Sequence, residues 1–436
     1  MCPYFRAVFR KDLTLKKLTA ILLVLSALLP LVLCGGTASA LDEPQLNGAA
    51  SAYLYNIENS TAVYSYKPDD TVFPTSTVKL MTGIVALELL GDRLDETVTV
   101  TAAMLAEVSG NNIKLQAGEK VKLSDMLGAM LVNGANDAAY VLAHAACGSS
   151  AEFVQRMNAK AAEIGANKTV YTNPTGIHDD RMVTTARDTC TVALTAYNTP
   201  GFMDYAELLK YTVEDTNMSS ARTLYNRNCL LSLHYEQSYY YDKARGMNAG
   251  STYEGGYCVV TTASDGALTY LAVVMDATED AEGNICSYTG AKSMLEWAFD
   301  AFLYLDVLSP EQTVCEIPVT LSMGVDYVTL VSKDTLSVYL PADTDIEAEI
   351  KLSWTTDSEQ LQAPVTKGQS VGRVTALYKD EPIGTADLVA TADISRSDML
   401  YGLYKISQFS KSRFFIAALI SAVVFSLIYV FGKAIL

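Results

Sequence analysis

Ser76-Thr77-Val78-Lys79 is the segment of this sequence best equipped for chemistry. A serine and a lysine three residues apart share one helix face, so the amine can approach the hydroxyl. A lysine withdrawn from water into a cleft loses proton affinity, and the neutral amine can serve as the base that activates a serine nucleophile. A helix N-terminus beside the pair favours the negative charge that develops on attack. Alone, the S-x-x-K spacing is weak, since a chain of this size contains about one such tetrad by chance. Context singles this one out: two strand-like runs and Phe73-Pro74-Thr75 lead into it, and a helical run follows.

Other chemistries find less support. The three histidines, His144, His178 and His234, are scattered and no G-x-S-x-G turn exists, so neither a serine–histidine triad nor a zinc site is expected. His144 falls in a helical run and reads as structural, His178 reads as a loop residue, and His234 has no partner in sequence. Beyond the leader, Cys147, Cys190, Cys229, Cys258, Cys286 and Cys315 form no C-x-x-C pair. Their scattered spacing suits small buried residues better than a metal or redox centre, so no metal and no cofactor are expected. Tyr239-Tyr240-Tyr241 reads as surface or sheet packing.

The elements that must position the tetrad are legible in outline. Ala52–Asn56 and Ala62–Tyr66 read as a hairpin around Asn59-Ser60, and Pro74 precedes a helix carrying Met81, Ile84, Val85 and Leu89 on one stripe, stopped by Gly91. A second helix is expected from an N-cap at Ser124-Asp125, with small and apolar residues continuing through Asp137 to Cys147, and a third over 151–164 ended by Gly165. Gly256 to Ala263 and Leu268 to Met275 read as paired buried strands, with helix again over 291–305. Past Pro310, short β-rich runs alternate with Gly, Asp and Pro turns.

The composition, 436 residues with 50% hydrophobic and 19% charged, fits a multidomain globular chain. A net charge of −17 argues against nucleic acid as a partner, because phosphate binding needs a basic surface. The ends point to export. Arg6, Arg10, Lys11, Lys16 and Lys17 precede an apolar run from Leu18 to Leu33, and Ala38-Ser39-Ala40 fits cleavage after Ala40. Phe414 to Leu436 is apolar except for Lys433, long enough to cross a hydrocarbon core about 30 Å thick. The expected plan is a signal peptide over 1–40, a catalytic domain over 41–308, a β-rich domain over 309–393, a linker over 394–412 and an anchor over 413–436. Membrane lipid is thus a partner, with the catalytic domain on the outer face.

Leu115-Gln-Ala-Gly-Glu119, Met130-Leu-Val-Asn-Gly-Ala-Asn-Asp-Ala-Ala139, Thr172-Asn-Pro-Thr-Gly-Ile-His178, Thr184-Thr-Ala-Arg-Asp188 and Gly256-Tyr-Cys-Val-Val260 follow the tetrad in order. With it, they resemble the serine-type D-alanyl-D-alanine carboxypeptidases, the low-molecular-mass penicillin-binding proteins. The likeness runs from about Leu41 to Asp393. It implies an α/β catalytic domain of the penicillin-binding protein/β-lactamase type, with an antiparallel sheet flanked by helices. A small all-β domain and a C-terminal transmembrane helix would follow.

Three elements carry that family's chemistry, S-x-x-K, S-x-N and K-T-G. The resemblance makes Ser76 the nucleophile and Lys79 the general base, and assigns the oxyanion hole to the backbone N–H groups of Ser76 and Ser251. The second element aligns with Gly134-Ala135-Asn136: its serine, a proton relay by resemblance, is missing, while Asn136 is retained to hold the substrate amide or Lys79. The third aligns with Asn248-Ala249-Gly250, where the family's lysine and threonine help hold the substrate's terminal carboxylate. Asn248 brings no charge and Ala249 no hydroxyl, so Asn136, Asn248 and Gly250 are the remaining substrate-binding positions. Lys243 or Arg245 is a candidate replacement cation. Ser109-Gly110-Asn111 spells the missing triplet but lies where the family has a variable loop.

The resemblance implies removal of the terminal D-alanine from peptidoglycan stem peptides ending in D-Ala-D-Ala, with β-lactam antibiotics as acylating inhibitors. The lost motif residues motivate an alternative, a catalytically impaired family member acting as a cell-wall binding or scaffold protein. A third possibility keeps acylation but takes a substrate without a free carboxylate, as an endopeptidase or amidase would.

Overall fold

The computed structural model describes residues 42–435; the expected signal segment and its cleavage site lie outside the described residues. Described residues up to Ala301 make one compact unit and those from Phe302 onward another.

The first unit is built on a five-stranded antiparallel sheet. Strands β1 (Ala49–Asn56) and β2 (Thr61–Tyr66) form the expected hairpin. They are joined by β3 (Ala244–Thr252), β4 (Gly256–Ser264) and β5 (Thr269–Ala277), in the order β2-β1-β5-β4-β3. β4 and β5 are near-continuous apolar runs because both faces are covered, which is why they read as buried strands. β3 is an edge strand, so its outer backbone groups are free of sheet partners.

Helices α1 (Val78–Leu90), α2 (Leu123–Asn133) and α3 (Asn136–Cys147) form the helical core beside the sheet. The stripe expected on α1 understates its burial. Nearly every side chain is enclosed, whereas Leu89 is 40% exposed. α2 starts two residues earlier than an N-cap at Ser124 would set, with Lys122 at the N-cap. It stops at Gly134, whose φ of +73° is the left-handed conformation that glycine adopts without a Cβ penalty. That break separates α2 from α3 and turns residues 134–136 toward the head of α1. The 286–301 helix ends earlier than expected, because Phe302–Leu308 pairs as a strand with Leu336–Pro341.

The second unit carries a six-stranded sheet whose core is formed by residues such as Leu330, Val374 and Leu388. A helix over Asp398–Lys411 follows, and then one over Arg413–Ile435. The window Arg413–Val430, with mean hydropathy 2.2, is long and apolar enough to cross a membrane. The α/β unit, the β unit and the apolar helix together are the expected fold class.

Candidate active site

Ser76 sits in a 3-10 turn, Thr75–Thr77, that runs straight into α1. The first N–H groups of a helix have no intrahelical acceptor, so the turn presents donors beside the serine. Thr75, immediately before it, is buried with φ +49°, a left-handed conformation rare for a β-branched residue. Such strain persists only where the surroundings enforce it, and it concentrates at functional sites. Gly176 provides part of the enforcement: a β-carbon there would stand 2.5 Å from the carbonyl carbon of Thr75.

Ser76 opens into a cavity of about 160 Å³, also walled by Gly110, Asn111, Gly134, Asn136, Thr175, Arg227, Gly250 and Ser251. Gly250 of β3 lies directly against the serine. A β-carbon on it would come within 2.6 Å of Ser76 Cβ and nearer still to Oγ. Only glycine permits that approach, which brings the backbone of Gly250 and Ser251 beside the hydroxyl.

Lys79 is 1% exposed, and its Nζ donates to the Thr175 carbonyl at 2.6 Å. Burial, with a smaller contribution from the Arg227 guanidinium, lowers its pKa to about 7. A buried ammonium with a single protein acceptor is costly, whereas a neutral amine satisfied by one carbonyl is not. Thr175 and Ser76 wall the same cavity, so an amine that is half neutral near pH 7 stands beside the cavity that Ser76 opens into.

Of the other expected positions, Asn136, Gly250 and Ser251 line the cavity and Asn248 does not: it is 4% exposed, with its Oδ1 buried and unpartnered. Asn136 Nδ2 donates to Ser109 O at 2.7 Å, while its Oδ1 is buried without a donor among the described residues. The Ser109-Gly110-Asn111 loop, set aside in sequence, forms part of the wall. Asn136 N donates to Asn111 O (2.8 Å), and Asn111 Nδ2 donates to Asn133 O (2.6 Å). Asp137, at the start of α3, anchors the same loop by accepting from the N–H groups of Ile113 and Leu115 at 3.0–3.1 Å.

Arg227 is a cavity-lining side chain that sequence alone did not single out. The flanking Asn226 and Asn228 are buried and fully engaged. Asn226 Nδ2 donates to the Ala206 and Leu208 carbonyls, and Asn228 Nδ2 donates to Thr261 Oγ1. The two asparagines pin the backbone and leave Arg227 on the cavity side, stacked over Tyr235 at 5.3 Å. The polar triplet Asn-Arg-Asn ahead of Leu230-Leu231 was the only sequence signal. Lys243 and Arg245 are engaged elsewhere. Lys243 lies over the Phe299 ring at 4.1 Å, and Arg245 donates to the carbonyls of Asp242, Ala244 and Ser264. His234 does have a partner, the Tyr225 ring stacked at 3.6 Å. No described lining residue is acidic, so the cavity is locally cationic within a chain of net charge −17.

A larger recess of about 850 Å³ in the second unit, walled by Asp306, Asp345 and Glu347, contains no nucleophile–base pair. Among the described residues no His, Cys, Asp and Glu cluster could hold a metal ion. The six described cysteines are free and four are buried.

Residues 38–279 match the family model for D-alanyl-D-alanine carboxypeptidase, and residues 306–396 match that for the penicillin-binding protein 5 C-terminal domain. The chain is 26% identical to the Bacillus subtilis D-alanyl-D-alanine carboxypeptidase DacF, over 81% of this chain and 87% of that protein. It is 30% identical to a Streptomyces D-alanyl-D-alanine carboxypeptidase over 61% of this chain and 93% of that one. The structure of penicillin-binding protein 5 from Haemophilus influenzae superposes with a TM-score of 0.58 at 23% identity, covering 82% of this chain and all of that one. Penicillin-binding protein D2 from Listeria monocytogenes in its ampicillin-bound form gives 0.50 at 25% identity, covering 59% of this chain and all of that one.

Proposed function

The chain belongs to the D-alanyl-D-alanine carboxypeptidase family, and we propose that it is a working serine carboxypeptidase acting on peptidoglycan stem peptides that end in D-Ala-D-Ala. The observation that carries this reading is Lys79, an amine with a pKa of about 7 buried beside a cavity that Ser76 opens into. Ser76 Oγ attacks the penultimate carbonyl while Lys79 accepts its proton. The backbone N–H groups of Ser76 and Ser251 take the oxyanion, a contribution on the order of a few kcal/mol. The C–N bond then breaks, the proton leaves with the departing D-alanine amine, and water cleaves the Ser76 ester to restore the enzyme. Asn136 orients the substrate amide through its unpartnered Oδ1. Without a hydroxyl at Gly134, Lys79 is the proton carrier in both directions. A helix over Arg413–Ile435 would hold the catalytic unit at the outer face of the cell membrane.

Gly134, Asn248 and Ala249 favour a second reading, a wall-peptide binding protein that no longer turns over. Mass spectrometry after exposure to benzylpenicillin separates the two. The first reading expects an adduct of the intact drug on the native chain and none on Ser76→Ala. No adduct on either would remove it.

A further inference from the structure

The recess of about 850 Å³ in the second unit lies along an unpaired sheet edge. Strand β6 (Phe302–Leu308) pairs with Leu336–Pro341, and strand β7 (Ile350–Thr356) pairs with Ser370–Tyr378. β7 ends the six-stranded sheet, so its other edge meets no strand among the described residues. Such an edge is a row of free N–H and C=O groups, which proteins blunt with a bulge, a proline or a charge. β7 has little of this. Its register runs unbroken from Ile350 opposite Tyr378 to Thr356 opposite Gly372, and it contains no proline. Its one charge, Lys351, is tied to Asp380 at 2.7 Å. The two-residue period of a strand puts Ile350, Leu352 and Trp354 on one face. Ile350 and Leu352 line the recess with Ile346, and all three are only partly buried against the small core of Val307, Val338, Leu340 and Ala376. Trp354, at the end of the stripe, is 47% exposed. The rim is acidic: Asp306, Asp345 and Glu347 wall the recess, and no described Lys, Arg or His does. Residues 302–396 hold fifteen Asp and Glu against six Lys and Arg. Lys351, Arg373 and Arg396 pair with Asp380, Asp387 and Asp398 and not with the rim. On the same wall, Thr344 Oγ1 is enclosed with no hydrogen-bond partner among the described residues.

We propose that this recess is a docking slot for an extended, cationic segment of another protein, which adds a strand to the free edge of β7. Apolar side chains of the segment cover Ile346, Ile350 and Leu352, and the Lys or Arg side chains that alternate with them meet Asp306, Asp345 and Glu347. Main-chain hydrogen bonds to the edge supply affinity, and the alternation of side chains supplies selectivity. Charge selects among the occupants. A second copy would bring the same excess of carboxylates, and an anionic lipid headgroup would meet a rim of its own sign. Every residue of the slot belongs to the second unit, so docking needs no turnover at Ser76.

The test is fluorescence anisotropy with the full chain in detergent micelles and labelled, end-capped peptides of about seven residues, the length of β7. The reference peptide alternates Val and Lys. One control alternates Val and Glu, and a second holds the reference residues in two blocks. Two further peptides are the reference N-methylated at its odd or at its even positions, which removes the N–H groups along one edge of a strand. The reference should bind saturably and about tenfold or more tighter than either control. One N-methylated form should bind like the reference and the other should lose binding, because one edge of the added strand faces β7. Asp306→Asn combined with Glu347→Gln should weaken the reference about two- to thirtyfold, the reach of two exposed ion pairs. Should that variant lose its native circular dichroism, Glu347→Lys at its exposed position replaces it and must weaken binding. No binding of the reference, a block isomer that binds as tightly, equal binding by the two N-methylated forms, or full affinity in the charge variant each overturns the proposal. So does a dimer in sedimentation velocity that Glu347→Lys disperses, since the occupant would then be a second copy.

Discussion

Gly250→Ala tests the closest approach in the cavity. The added methyl would stand 2.6 Å from Ser76 Cβ, where ordinary contact begins at 3.4 Å, so serine or strand must retreat by roughly 0.8 Å. Neither is free to do so cheaply. Ser76 follows the strained, buried Thr75, and β3 is held at Gly250 by its pairing with Cys258 of β4. A displacement on the order of 1 Å at a reacting atom costs about 100-fold in rate. Stability should suffer much less: overpacking costs about 1–3 kcal/mol, offset by the ~0.5–1 kcal/mol that alanine gains over glycine in a strand. The assay is the second-order rate of labelling by a fluorescent penicillin, with thermal denaturation followed in parallel. Acylation should fall about 100-fold while the melting temperature moves by less than about 8 °C. A folded variant that acylates at the native rate would refute the placement of the nucleophile against this strand.

Four further outcomes follow from the same structure. With neutral Lys79 as the proposed base and its pKa at about 7, acylation should rise with pH, reaching at pH 6 only about one-tenth of its alkaline plateau; a flat profile in stopped-flow labelling contradicts this. Between about pH 7 and pH 10.5 the unfolded chain protonates Lys79 and the folded chain does not. Stability should therefore climb with pH across that window, and Lys79→Met should abolish its contribution to the slope in urea titrations. Asp137→Ala strips the N–H groups of Ile113 and Leu115 of their acceptor. It should cost roughly 2–4 kcal/mol and slow labelling by loosening the Ser109–Asn111 wall, both measurable on one preparation. Residues 42–301 have their own core, so that fragment should fold alone and retain penicillin labelling; an unfolded fragment by circular dichroism would show that the second unit is required.

How much was legible depended on whether the information was local. The Ser76–Lys79 pair, the β1–β2 hairpin, the buried runs of β4 and β5 and the apolar C-terminal helix are set by spacing and composition within short windows, and sequence alone determined them. So was the loss of a hydroxyl at Gly134 and of a charge at Asn248. What else walls the cavity was not local. Arg227 reaches the cavity because Asn226 and Asn228 bond to carbonyls near residue 207 and to Thr261. The Ser109–Asn111 loop becomes a wall because Asp137, 22 residues beyond Leu115, accepts its amides. A base with a pKa near 7 likewise exists only when the fold excludes water from around Lys79. Burial and long-range hydrogen bonds are properties of the packed chain, and tertiary structure alone decided them.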